Sequence, residues 1–220
     1  MSEETTETVG LPVVNRLGVI AVVAVCGWLV MEMEILGARM LAPYFGSAIY
    51  VTMGSVIGVF LLSLSVGYML GGWLSGRRDS QLILGLALAA AGAWLCALPR
   101  LVQPLCDRLL DAGFSDEWGS LVAALGLFGL PTVLLGMVSP TAVGWLTTRA
   151  ERSGLNAGLV LAASTVASFV GTIVTAFYLL RLSVQRTVTV SGGVLIVLGA
   201  ALVVRWAWRR TRRATPEKGE

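Results

Sequence analysis

The 220-residue chain contains no histidine. That absence removes imidazole metal ligation, histidine proton relays and every Ser-His or Cys-His nucleophile. Its three cysteines, Cys26, Cys96 and Cys106, form no C-x-x-C pair, which excludes a zinc ribbon and a thioredoxin-type redox motif. They read as small packing residues, with a Cys96–Cys106 bridge as the minor alternative. No Gly-x-Gly-x-x-Gly unit links a strand to a helix, so no nucleotide or adenosyl cofactor site is expected. Charge is scarce as well, at 13% of residues against about 25% in soluble domains. The expectation is a chain with no catalytic residue, no metal and no cofactor of its own.

What is abundant is apolar sequence. Hydrophobic residues make up 56% of the chain and mean hydropathy is +0.81. They fall into six blocks, at 17–36, 51–74, 82–98, 119–138, 156–180 and 187–207. Each approaches the roughly 20 residues that cross about 30 Å of hydrocarbon at about 1.5 Å per residue. The fold class is therefore all-α: a polytopic integral membrane protein of about six transmembrane helices. Residues 1–16 form a short acidic N-terminus without the basic n-region of a signal peptide. Residues 17–207 form the membrane domain, and 208–220 a basic tail.

Orientation follows from the cations. With the N-terminus cytoplasmic, Arg16, Arg77, Arg78, Arg149, Arg152, Arg205, Arg209, Arg210, Arg212, Arg213 and Lys218 lie inside. Arg39, Arg100, Arg108, Arg181 and Arg186 lie outside, completing the 16 basic residues. This is the positive-inside asymmetry, and it puts both termini on the cytoplasmic side of the inner membrane. The pI near 9.0 is explained by topology, so nucleic acid is not an expected partner; the lipid bilayer is. Between the third and fourth blocks, the stretch from Pro99 to Phe114 sets Leu101, Val102, Leu105, Leu109 and Leu110 at helical spacing opposite Asp107, Arg108 and Asp111. That pattern predicts a separate amphipathic helix lying on the headgroups.

Glycine is plentiful, at 26 residues. In the second block Gly54, Gly58, Ser65, Gly72 and Gly76 share one face and predict a helix-packing seam, with Gly67 and Gly71 as a second pair. In the fifth block Ser164, Ser168 and Thr172 recur at helical spacing. Two readings compete there, hydroxyls lining a polar path and hydroxyls that bond a carbonyl one turn back and pack. The packing reading is preferred. Blocks one and four end in proline-marked stretches and blocks two and five are rich in small residues. This predicts a three-helix unit used twice, in opposite orientations, as in many transporters.

The sharpest chemical feature is the stretch Met31-Glu32-Met33-Glu34, followed by Arg39. An acid inside a span is a functional candidate. Glu32 and Glu34 point about 200° apart on a regular helix, so they cannot both face one site, and Glu34 and Arg39 are offset by about 140°. A buried carboxylate here suits a cationic amine, a proton or a structural pair with Arg39.

The string Glu34-Ile-Leu-Gly-Ala-Arg39-Met-Leu-Ala-Pro43-Tyr-Phe-Gly46, the following SVIGVFLLSLSVGYMLGGWLSGR, and the later LPTVLLGMVSPTAV and ASTVASFVGTIVTAFYLL resemble the membrane half of the fused MFS/spermidine synthases. Glu34, Arg39, Pro43 and Gly46 match that family's string; Glu32 is not part of it. Fused members carry a cytoplasmic aminopropyltransferase-like domain after the last span, and this chain stops at Glu220 without one. The resemblance implies a membrane subunit of a polyamine or aminopropyl-transfer system. Such a subunit binds or moves a small cationic solute, with Glu34 and Arg39 as the matched candidates and Glu32 as a candidate from its place in the span, and docks a separately encoded cytoplasmic enzyme. The alternatives are a stand-alone small transporter, as a homodimer, with Glu34 and the hydroxyls of Ser164, Ser168 and Thr172 in its cavity, or a scaffold subunit of a membrane complex.

Overall fold

The computed structural model describes residues 13–46, 49–77, 79–147 and 153–214. The acidic N-terminus through residue 12, Arg78, Arg149, Arg152 and the end of the basic tail from residue 215 lie outside the described residues. Everything described is helix or short connection. Helix α1 spans Val13–Phe45, α2 Ile49–Ser75 and α3 Ser80–Asp111. A fourth unit comprises α4 (Asp116–Ala124), a π turn (Leu125–Gly129), α5 (Leu130–Gly136) and α6 (Val138–Leu146). Helix α7 spans Ser153–Phe177 and α8 Val184–Ala214, joined by a 3₁₀ turn at Leu179–Arg181.

Among the described residues six helical stretches are long and apolar enough to cross a bilayer: Arg16–Phe45, Tyr50–Ser75, Ser80–Asp111, Asp116–Leu146, Ser153–Arg181 and Val184–Thr211. The chain is thus an all-α, polytopic membrane protein. Helices are the solution because hydrocarbon offers the backbone no hydrogen-bonding partner, so each amide must pair within its own segment. With six crossings, the start of α1 and the end of α8 share one end of the bundle, where Arg205 lies beside Gly18.

Two boundaries differ from the sequence expectation. The amphipathic stretch is not a separate interfacial helix. It continues α3 without a break through Pro99 and Pro104, giving a helix about 48 Å long, well beyond the hydrocarbon thickness. Val102, Cys106 and Leu109 are buried, while Leu101 and Leu110 stay exposed, so only part of its apolar face packs on the bundle. Cys96 and Cys106 are free thiols on this one helix, about 15 Å apart along its axis, which rules out their bridge.

The fourth span also runs further than its apolar block, through Pro140 to Leu146. It is irregular for an identifiable reason. In an α-helix the Leu127 carbonyl would accept from residue 131, but Pro131 has no N–H. The chain widens into a π turn at that point, and the Trp94 indole donates to the Leu127 oxygen at 2.8 Å.

Backbone approaches pair the spans: first with fifth, second with fourth, third with sixth. These are the pairs that a three-helix unit used twice must conserve, because exchanging the halves turns each pair into another pair or into itself. The close contacts follow the same rule. A Cβ on Gly27 would lie 2.7 Å from the Ser164 carbonyl oxygen, and one on Gly136 would lie 3.1 Å from that of Leu64. Gly85 faces Gly199, and Gly92 faces Gly192. Sliding the first half along the second sets Gly27 on Gly136, Gly67 on Gly171, Gly85 on Gly192 and Gly92 on Gly199, with shifts that differ by only a few residues. The proline-marked stretches do not coincide in this register, so the small residues and not the prolines carry the correspondence.

The predicted packing seam on α2 is a correction. Gly54, Gly58, Gly72 and Gly76 have open space where a Cβ would stand. Ser65 is exposed and donates to the Leu61 carbonyl of its own helix. The working pair is Gly67 and Gly71, set against the backbones of Val133, Gly136 and Met137. Both stripes have helical spacing, and spacing cannot say which one finds a partner.

Candidate functional site

Helix α1 buries one stripe, running through Val23, Cys26, Leu29, Val30, Met33 and Leu36. Glu32 falls within that stripe, and only 3% of it is exposed. Its carboxylate has two donors. The indole of Trp28, one turn earlier on α1, donates to Oε2 at 2.9 Å. The hydroxyl of Ser191 on α8 donates to Oε1. Ser191 lies about 10 Å along the axis from the start of α8, so the acid is held well inside the helical bundle.

The carboxylate borders a cavity of about 660 Å³ between α1, α7 and α8. Its walls are mainly aliphatic, including Val25, Leu29, Ala167 and Val194, with Trp28 and Ser191 beside the acid. Arg186, in the first turn of α8, lines the same cavity about 7.5 Å nearer the helix start than Ser191. An ion inside the membrane is expensive unless paired. Trp28 and Ser191 supply neutral hydrogen bonds but no opposite charge. The arrangement is an apolar chamber with one anionic point in its wall, suited to an amine that carries an aliphatic portion.

The other expected site residues lie elsewhere. Glu34 is half-buried and Arg39 exposed, and neither lines this cavity. Two residues beyond Glu32, Glu34 is turned off the buried stripe, as the helix period requires. The hydroxyls of α7 serve the α1–α7 seam. Ser168 donates to the Gly27 carbonyl at 2.9 Å, Thr172 donates to the Ser168 carbonyl one turn back at 2.9 Å, and Ser164 lies under Gly27. This is the packing reading, and it removes Ser164, Ser168 and Thr172 from the cavity wall; Ala167 is the α7 residue there.

Trp28, Ser191 and Arg186 were not singled out by sequence reasoning as site residues. Trp28 had a usable signal, an indole four residues before an intramembrane acid. Ser191 had none, since it is 159 positions away. Among the described residues no group of histidine, cysteine, aspartate and glutamate could hold a metal ion. Comparison with known protein families, curated proteins and solved structures gives no match.

Proposed function

We propose that this chain is a membrane-embedded subunit that binds, and passes through the bilayer, a small organic amine whose positive charge is met by Glu32. The observation that carries this reading is the buried carboxylate facing an apolar cavity, with no cationic side chain bonded to it among the described residues. The paired use of two three-helix units supports movement of the solute, since such repeats are the usual frame for alternating access. The resemblance to the fused spermidine synthases supplies the chemical context, polyamines and aminopropyl transfer. In this reading the bundle end that holds the start of α1 and the end of α8 is cytoplasmic and docks a separate aminopropyltransferase-like enzyme. The aliphatic walls favour an amine with a methylene run over a compact ion. Glu32 replaces Glu34 as the central residue of the proposal.

A second reading rests on one specific observation: both Glu32 oxygens already have donors. In that reading the acid pins α1 to α8 and the chain is a scaffold. One experiment separates the two. The purified protein in nanodiscs is melted with spermidine, with putrescine and with a neutral diol of similar length. A ligand that binds only the folded state adds about 2.7 kcal/mol at a hundred times its dissociation constant. The transport reading expects an amine-specific rise that Glu32→Gln abolishes and Glu34→Gln retains. A lower melting point in Glu32→Gln, with no amine effect in any form of the protein, would leave the scaffold.

A further inference from the structure

Helices α3 and α8 run antiparallel, in a register fixed by three contacts. Gly85 meets Gly199, Gly92 meets Gly192, and the Cys96 thiol donates to the Thr189 carbonyl at 3.6 Å. Continued by one more turn, that register sets Arg100 beside Gln185 and Arg186. A second cavity opens there, about 720 Å³ in volume, at the end of the bundle away from the start of α1. It is lined by Cys96, Pro99, Arg100, Gln185, Arg186, Thr189 and Val190.

Two arginines thus border one pocket whose lining, among the described residues, contains no carboxylate. The remaining acid near Arg186 is Glu32, across α8 in the first cavity, and its two oxygens are held by Trp28 and Ser191. Two further features favour negative charge. The pocket sits at the first turn of the 31-residue helix α8, where backbone N–H groups lack helical acceptors and the helix dipole is positive. The Gln185 side-chain amide adds an uncharged donor to the same wall, while the Thr189 hydroxyl donates to the Gln185 carbonyl of its own helix at 2.8 Å.

We propose that this pocket is an anion site that takes a phosphate group, with Arg100 and Arg186 as its two principal ligands. Planar guanidinium forks match phosphate oxygens in pairs. The position at a helix end next to the bundle surface gives access to two sources of that chemistry, the phosphate of an anionic lipid headgroup and the free phosphate ion. This proposal does not depend on the amine reading, which rests on Glu32; the two cavities share Arg186 and Val190, and Arg100 lines the second alone.

The test uses the full-length protein in a neutral, phosphate-free detergent at constant ionic strength. Thermal unfolding is followed while short-chain phosphatidylglycerol or inorganic phosphate is titrated in, with sulfate-free sodium chloride as the blank. The expected result is a saturable rise in melting temperature. In Arg100→Gln/Arg186→Gln the apparent affinity should fall at least tenfold. In Arg205→Gln/Arg210→Gln, which removes two cations at the opposite end, it should stay within twofold. A rise with both ligands assigns a phosphate-ion site, and a rise with the lipid alone assigns a headgroup site. No saturable rise with either ligand overturns the proposal. So does equal affinity in the wild-type protein and the Arg100/Arg186 double variant. Should that double variant fail to fold, Arg100→Lys/Arg186→Lys keeps the charge and loses the fork; unchanged affinity there would exclude the paired guanidinium geometry.

Discussion

The α3–α8 crossing makes a quantitative prediction at Gly92. A methyl group at that position would stand 2.5 Å from the Gly192 carbonyl oxygen and 2.8 Å from the Ile196 backbone nitrogen. Both are main-chain atoms, so no side chain can swing aside. The first distance falls about 0.9 Å inside the 3.4 Å at which ordinary contact begins, and Gly92→Ala must therefore push the helices apart. Overpacking of this kind costs about 1–3 kcal/mol. Gly→Ala in a helix also gains as much as about 1 kcal/mol from propensity, whatever the packing. The control is Gly54→Ala, where the methyl group meets nothing within 4 Å. It receives the same propensity gain without the clash. The difference between the two variants thus isolates the packing penalty, at about 1–3 kcal/mol. Reversible unfolding in mixed micelles, with helix content as the signal, measures both. Equal stabilities would refute the assigned seam, and a destabilised Gly54→Ala would restore the α2 stripe as a packing face.

Two further predictions rest on single groups. Trp94→Phe removes the donor to the Leu127 carbonyl beside Pro131 and should lower stability by about 0.5–1.5 kcal/mol; the same substitution combined with Pro131→Ala should lose less, which a double-mutant unfolding cycle will show. A membrane-impermeant maleimide should label Cys96, which lines the arginine pocket, and leave the buried Cys26 and Cys106 unmodified in the folded protein; peptide mapping after labelling of sealed cells or inverted vesicles also fixes which side of the membrane that pocket faces.

The spans were legible because length and apolar composition decide them, and bilayer thickness sets one length for all. Their ends were less so. Pro99, Pro104 and Pro140 read as breaks by the rules of soluble helices, yet each stands inside a helix here. The stripe Gly54, Gly58, Gly72 and the pair Gly67, Gly71 show the limit of periodicity. Both satisfy the same spacing, and the choice between them lies in the Val133–Met137 backbone of another span. Glu32 and Glu34 were both visible as intramembrane acids, and helix geometry correctly forbade a shared site. Which of them is buried depends on where the α1 stripe meets α7 and α8, and Ser191 could not be linked to Glu32 without the fold.

The two halves of the bundle bear on what Glu32 is for. The shift that sets Gly27 on Gly136 also sets Glu32 on Thr141, and the shift that sets Gly85 on Gly192 sets Leu84 on Ser191. The positions related to Glu32 of α1 and Ser191 of α8 are therefore a threonine on α6 and a leucine on α3. Thr141 satisfies itself on the Met137 and Gly71 carbonyls, at 2.7 and 3.2 Å, and Leu84 is fully buried. The related positions on α6 and α3 thus carry no acid, so the repeated arrangement of the spans does not by itself call for one between α1 and α8. The swap Glu32→Thr/Ser191→Leu copies the acid-free residues into the cavity between α1, α7 and α8. Replacing a buried charged group together with its partner by well-packed neutral residues is commonly neutral or stabilising, by up to about 4 kcal/mol. The expectation is a protein that unfolds no earlier than wild type and has lost its amine-dependent rise in melting temperature. A swap variant that unfolds several degrees early would show that the carboxylate is needed for the packing of α1 on α8. One that keeps the amine response would show that the amine binds away from Glu32.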